Sequence, residues 1–249
     1  MSVLYLCPAP LSVNCHEIIL SQSVISKIHD LQQFIVEDIR TARRFLLRIN
    51  HPLPIEHLQF EKLNEHTTEK ELTPLLPYLL KNDTGIFSDA GVPGIADPGA
   101  DIVRMAHANG IKVVPLVGAS SILMALMASG LNGQSFAFVG YLPIKTLNRK
   151  LRLSELEKRS AKENQTQIFI ETPYRNMQLL DDILTTCKPA TMLTVAADIT
   201  GNNEFILTKT IEQWKRKLPE INKIPSVFLL LATSGEQRSG AAKRGKMHI

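Results

Sequence analysis

Short apolar runs alternate with helical patterns along most of the chain, and that alternation restricts the fold more than any other feature. "VLYLC", "QQFIVED", "TGIFSD" and "IKVVPLV" read as strands, and "IRTARRFLLRI", "GADIVRMAHANG" and "SSILMALMAS" read as helices. A weaker strand is expected at "IEHLQF", and a proline-interrupted helix at "EKELTPLLPYLLK". Such alternation predicts βαβ units and a mostly parallel sheet.

The second half reads differently. "SFAFVGYL" and "QIFIET" are strand-like and flank the charged helix "RKLRLSELEKRSAKE". "YRNMQLLDDILTTC" is amphipathic, with Met177, Leu180, Ile183 and Leu184 on one face. "MLTVAADI" and "EFILTKT" flank "TGNN", a hairpin signal, and "PSVFLLLA" closes the pattern. The expected fold class is therefore α/β with two domains. Residues 1–117 form a parallel-sheet domain and 118–234 a mixed-sheet domain, while 235–249 are a polar, basic, disordered tail.

A chain of 249 residues accommodates this division, and 44% hydrophobic with 21% charged residues excludes disordered and fibrous classes. The net charge of +4 admits a nucleic-acid substrate without requiring one. Cys7, Cys15 and Cys187 are odd in number and scattered, which fits a reducing compartment rather than a disulfide framework. No secretory signal and no apolar run of about 20 residues is present, so a soluble, cytoplasmic protein without membrane contact is expected.

The segment "SDAGVPGIADPG", residues 88–99, carries the most chemistry. It begins at the carboxyl end of a strand, where open α/β sheets bind ligands. Asp97 and Pro98 read as a helix start. Asp89 does not fit a cap and places a carboxylate in the crevice. Neither G-x-G-x-x-G nor G-x-x-x-x-G-K-[ST] is present, which disfavours a dinucleotide or nucleoside triphosphate. A ligand with an ammonium group and a ribose suits a lone carboxylate better.

In "VGASSILMALMASG", Ser120 and Ser121 stand at a helix N-terminus, able to cap it or to bind a polar ligand. In "VEDIRTARR", Glu37 and Asp38 end a strand, and Arg40, Arg43 and Arg44 ride the next helix. Asp38 reads first as the helix cap, with the arginines a solvated face; arginine forks can also hold phosphate. In "IETPYR", Thr172 and Pro173 read as a helix start, with Tyr174 and Arg175 able to meet a substrate. The seven histidines show no metal-like spacing, and no metal is expected.

Taken in order, "LYLCPAP", "VEDIRTARR", "SDAGVPGIADPG", "VGASSILMALMASGL", "FVGYLP" and "FIETPYRN" resemble the tetrapyrrole (corrin/porphyrin) methylase superfamily. The nearest branch methylates a cytidine ribose 2′-hydroxyl in small-subunit ribosomal RNA. The resemblance runs from about Val3 to Thr233. It implies a homodimer of two α/β domains with S-adenosylmethionine folded between them. Pro8, Asp89, Val92, Ser120, Ser121, Ile170, Ala196 and Ser226 match cofactor-binding positions. Glu37, Asp38 and Arg40 match a segment on the substrate side. The chain departs from the branch at "PAPLSVN", at "EDIRTA" and at Ala197, all on that side.

Methyl transfer is an in-line displacement that asks mainly for alignment and exclusion of water. Glu37 and Asp38 are the candidate catalytic carboxylates for a hydroxyl acceptor. Arg40, Arg43 and Arg44 are the candidates for holding an RNA backbone. The alternative readings are a methylase of a tetrapyrrole-like small molecule and a non-catalytic cofactor- or RNA-binding paralogue.

Overall fold

The computed structural model describes residues 2–12, 20–63, 67 and 72–232. Cys15, the first residues of "EKELTPLLPYLLK" and the basic tail lie outside the described residues. Those described form two compact units that part between Ser120 and Ser121.

In the first unit, strands β1 (Val3–Cys7), β2 (Gln33–Val36), β3 (Gln59–Lys62), β4 (Thr84–Phe87) and β5 (Lys112–Pro115) form a sheet in the order β3-β2-β4-β1-β5. All neighbouring pairs are parallel. Every residue of β2 and β4 is buried, as expected for central strands covered on both faces. The alternation of side chains across the pleat divides the core in two. Phe34, Val36 and Phe87 pack with α1 (Gln22–His29) and α2 (Ile39–Arg48). Ile35 and Ile86 pack on the other face with α3 (Leu75–Lys81) and α4 (Gly99–Ala108).

Two local readings need correction. "IEHLQF" is not one strand: Ile55–His57 is a 3₁₀ turn closed by the His57 N–H on the Pro54 carbonyl, and β3 begins only at Gln59. α1 had no sequence reading at all. It starts at Ser21, whose hydroxyl accepts the Val24 N–H, and buries only Val24 and Ile28.

The second unit contains α5 (Ser121–Ser129), β6 (Phe136–Tyr141), α6 (Thr146–Glu163), β7 (Thr166–Ile170), α7 (Asn176–Thr186), β8 (Met192–Ala197), β9 (Phe205–Thr210), α8 (Ile211–Trp214) and β10 (Ser226–Leu231). Its sheet order is β6-β7-β10-β8-β9. β6 and β7 are parallel and the remaining pairs antiparallel, so the sheet is mixed. β10, last in sequence, lies at the centre, which explains its apolar run "SVFLLL". Leu180, Ile183 and Leu184 of α7 are buried against this sheet, and Met177 packs beside them. Among the described residues, no helix is long and apolar enough to cross a membrane.

Candidate active site

Three loops meet at the carboxyl edge of the first sheet: Ala9–Ser12 after β1, Glu37–Asp38 after β2 and Ser88–Ala90 after β4. β2, β4 and β1 are adjacent, so their trailing loops converge. With α2 they enclose an open pocket of about 170 Å³. A drug-sized ligand usually needs roughly 300 Å³ or more, so this pocket accommodates a fragment such as a nucleoside sugar.

The backbone that shapes the pocket is tied at two points. Ala9 and Gly91 exchange N–H···O bonds of 2.7 and 3.1 Å, with Gly91 at φ +79°, where a side chain would be strained. A Cβ added to Gly118 would collide with the Pro8 ring, so β5's exit loop lies directly on β1's. Pro8 is buried. Ser88, also buried, donates its hydroxyl to the Ala90 carbonyl and turns the chain after β4.

Glu37, Asp38, Asp89 and Arg44 all line this pocket. The Asp38 carboxylate caps α2, accepting the Thr41 N–H at 2.7 Å. That bond, the Thr41 hydroxyl and the nearby Arg40 and Lys62 charges hold its pKa below the usual carboxylate range. Asp89 is the opposite case. Partial burial and the Asp38 charge push its pKa up, while the Asp38 backbone N–H pulls it down.

The arginines expected as one set do not share one face of α2. On a helix of 3.6 residues per turn, Thr41, Arg44, Phe45 and Arg48 form one stripe, and these line the pocket. Arg43 falls on another side, with its guanidinium over the Phe60 ring at 5.3 Å. Arg40 is exposed and outside the pocket lining. Arg48, four residues after Arg44, also lines the pocket and had no reading from sequence.

The loop to α4 also differs from its sequence reading. Pro98, not Asp97, stands in the N-cap position. The Asp97 carboxylate accepts the Gly94 N–H at 2.9 Å and the Gly99 N–H at 2.7 Å, so it starts the helix and closes the glycine loop together. Val92 is half-buried within this loop, and Ser120 is half-buried just before α5, which starts at Ser121.

The second unit sets its candidate residues along one sheet edge. Ile170 of β7, Val227 of β10 and Ala196 of β8 are cross-strand neighbours. Ser226 pairs with Ala197 and donates its hydroxyl to the Ile224 carbonyl at 2.9 Å. Ala196 is fully buried, backbone included.

S-adenosylmethionine offers an ammonium, a ribose and a carboxylate. A carboxylate such as Asp89, exposed on one side and partly desolvated on the other, suits the first two. Gly94, at positive φ, leaves open space on its side-chain face, where a Cβ would meet nothing within 4 Å. No group of three or more metal-ligating side chains exists among the described residues.

Comparisons with known proteins identify the family. A family model for tetrapyrrole (corrin/porphyrin) methylases matches residues 22–215. Ribosomal RNA small subunit methyltransferase I of Vibrio cholerae is 34% identical over 205 residues, covering 82% of this chain and 67% of that protein. The protein of the same name from Haemophilus influenzae is 30% identical over 239 residues, covering 95% and 80%. The crystal structure of the methyltransferase CobJ matches with a TM-score of 0.63 at 16% identity, covering 93% of this chain and 95% of that one, a likeness of fold. The chain is an S-adenosylmethionine-dependent methyltransferase and belongs to the tetrapyrrole (corrin/porphyrin) methylase family.

Proposed function

We propose that this chain, as a cytoplasmic homodimer, methylates a ribose 2′-hydroxyl of RNA in the small ribosomal subunit. The observation that carries the reading is the composition of the first-unit pocket. Glu37, Asp38 and Asp89 lie at the strand ends, and Arg44 and Arg48 stand one turn apart on α2. A nucleotide presents a hydroxyl and a phosphodiester within one residue, and such a wall matches both. The names of relatives alike over most of this chain support small-subunit ribosomal RNA as the substrate.

When bound, the cofactor supplies an electrophilic sulfonium methyl. The chain's own residues then orient the acceptor and accept its proton. Asp38 is committed to the α2 cap and is a weak base. Glu37 is the proposed proton acceptor, and Asp89 the proposed contact to cofactor hydroxyls or ammonium. Arg44 and Arg48 are the proposed phosphate contacts, and Pro8 shapes the loop. Val92, Ser120, Ser121, Ile170, Ala196 and Ser226 remain cofactor-side proposals.

Two buried free thiols, Cys7 and Cys187, suit a reducing compartment. α5 supports self-association, because it is apolar on several sides and leaves Leu123 and the 83% exposed Met127 on its surface beside Phe136.

The test is transfer of labelled methyl to small ribosomal subunits, followed by alkaline hydrolysis. A 2′-O-methyl group blocks cleavage at its own nucleotide, so a single resistant site is expected. Label found only in small tetrapyrrole-like rings would replace RNA with the small-molecule reading.

A further inference from the structure

In the second unit, the carboxyl edge of β7 carries a group of polar and aromatic side chains. Tyr174 is 78% exposed, which is unusual for a tyrosine on an ordered turn. The Lys223 ammonium lies over its ring at 5.9 Å. Arg175, the next residue, is about one-third exposed. Tyr141 is 57% exposed and is the cross-strand partner of Ile170 at the same edge.

The group is held rigidly. Glu171, whose side chain is fully buried, accepts the Thr172 N–H at 2.7 Å and an Arg175 Nη2 hydrogen at 2.6 Å. Its second oxygen and the Arg175 Nε are buried without a hydrogen-bond partner. Burying a carboxylate with incomplete pairing is costly, and here it fixes the short 3₁₀ turn Pro173–Arg175. From the other side, the Lys223 N–H donates to the Pro173 carbonyl at 3.1 Å. Lys223 adopts φ +61°, a conformation that a non-glycine residue holds at a cost. The fully buried Asn176 donates to the Ile224 carbonyl at 2.6 Å and so clamps the loop that carries Lys223. The turn that carries Tyr174 and Arg175 and the loop that carries Lys223 are thus fixed by buried polar side chains, which solvation alone does not require.

We infer that Tyr174, Lys223 and Arg175 form a stacking site for an unpaired base of single-stranded RNA. The ring offers a π-face to the base, and the two cations track the flanking phosphates, the chemistry by which single strands are held without sequence readout. The inference rests on the RNA reading proposed above. It adds a site in the second unit and the requirement that the acceptor strand be locally unpaired.

The probe is a short single-stranded oligoribonucleotide carrying 2-aminopurine, whose fluorescence is quenched by stacking. Binding to the wild-type protein should quench it. Tyr174→Ala should abolish the quench and weaken binding by about 5- to 100-fold, while Tyr174→Phe keeps both. Lys223→Gly, which suits the left-handed backbone, should lower the salt slope by about one. Cofactor affinity should not change in any variant, and KM for ribosomal subunits should rise in Tyr174→Ala with kcat retained. If the wild type methylates RNA and Tyr174→Ala matches it in quench, affinity and KM, this site does not exist. If the wild type neither binds the probe nor methylates RNA, the RNA reading itself falls, and this inference with it.

Discussion

Asp38 acts on Asp89 in two opposite directions: its carboxylate charge raises the Asp89 pKa, and its backbone N–H lowers it. Burial adds to the upward side and is the largest influence. The two residues end neighbouring strands, so the parallel pairing of β2 and β4 sets up this opposition.

That arrangement separates stability from binding. A carboxyl whose folded-state pKa is raised favours the folded protein when protonated, and it loses that advantage as pH rises through the folded value. Above that folded value the ionised Asp89 opposes folding. Asp89→Asn should raise the melting temperature of the ligand-free protein at neutral pH. The same change should weaken S-adenosylmethionine binding by about 1–3 kcal/mol, because a charge-assisted hydrogen bond is lost. Wild-type affinity should also fall with acid from a higher pH than an ordinary carboxylate dictates. Calorimetric titration across pH checks both, and an unchanged affinity in the variant removes Asp89 from the cofactor site.

Gly118 is required by Pro8. Gly118→Ala should cost about 1–3 kcal/mol, because the proline ring cannot rotate out of the way. Pro8→Gly in the same protein should recover part of the loss. A double-mutant cycle by denaturant unfolding reads the coupling, and additive effects would mean that the two loops relax independently.

Arg149 and Asp182 form an ion pair between α6 and α7 with almost no solvent exposure. Arg149 also donates to the Ile144 carbonyl at 2.7 Å and so fixes the loop after β6. Arg149→Ala leaves a buried carboxylate with only Lys150 nearby, at 3.4 Å, and should destabilise by roughly 3–5 kcal/mol. Replacing the pair together, Arg149→Met with Asp182→Leu, should cost much less. Equal losses in the single and double variants would show that the helix packing, not the pair, sets the effect.

Much of this was legible from the chain. Buried central strands such as "TGIF" and "SVFLLL" are continuous apolar runs, and the hairpin of β8 and β9 follows from its turn residues. α1 and α8 were not legible. α1 buries two residues, and α8 is a four-residue helix whose capping box of Thr210 and Gln213 replaces any periodic signal. In the site, Asp89 stood out because no cap claimed it. Arg48 did not, since its place depends on how α2 is rotated against β2, which the burial of Phe45 and Leu46 decides only in three dimensions. Lys223 was invisible for a related reason. Its partner Tyr174 lies far away in sequence, and its left-handed backbone carries no glycine or asparagine to announce it.

The rotation of α2 gives the sharpest test of the acceptor. If phosphate sits in the first-unit pocket, Arg44 and Arg48 hold it, whereas Arg40 and Arg43 do not. Arg44→Ala and Arg48→Ala should each raise KM for ribosomal subunits and reduce the salt slope of RNA binding by about one. Arg43→Ala should instead affect stability slightly, through the lost stacking on Phe60. Arg40→Ala should leave both KM and salt slope near wild type. Cofactor affinity should be the same in all four, which separates a phosphate contact from a general disturbance of the pocket. The opposite ranking, with Arg40 strong and Arg48 silent, would place the acceptor on the outer face of α2 and take Glu37 out of reach of its hydroxyl.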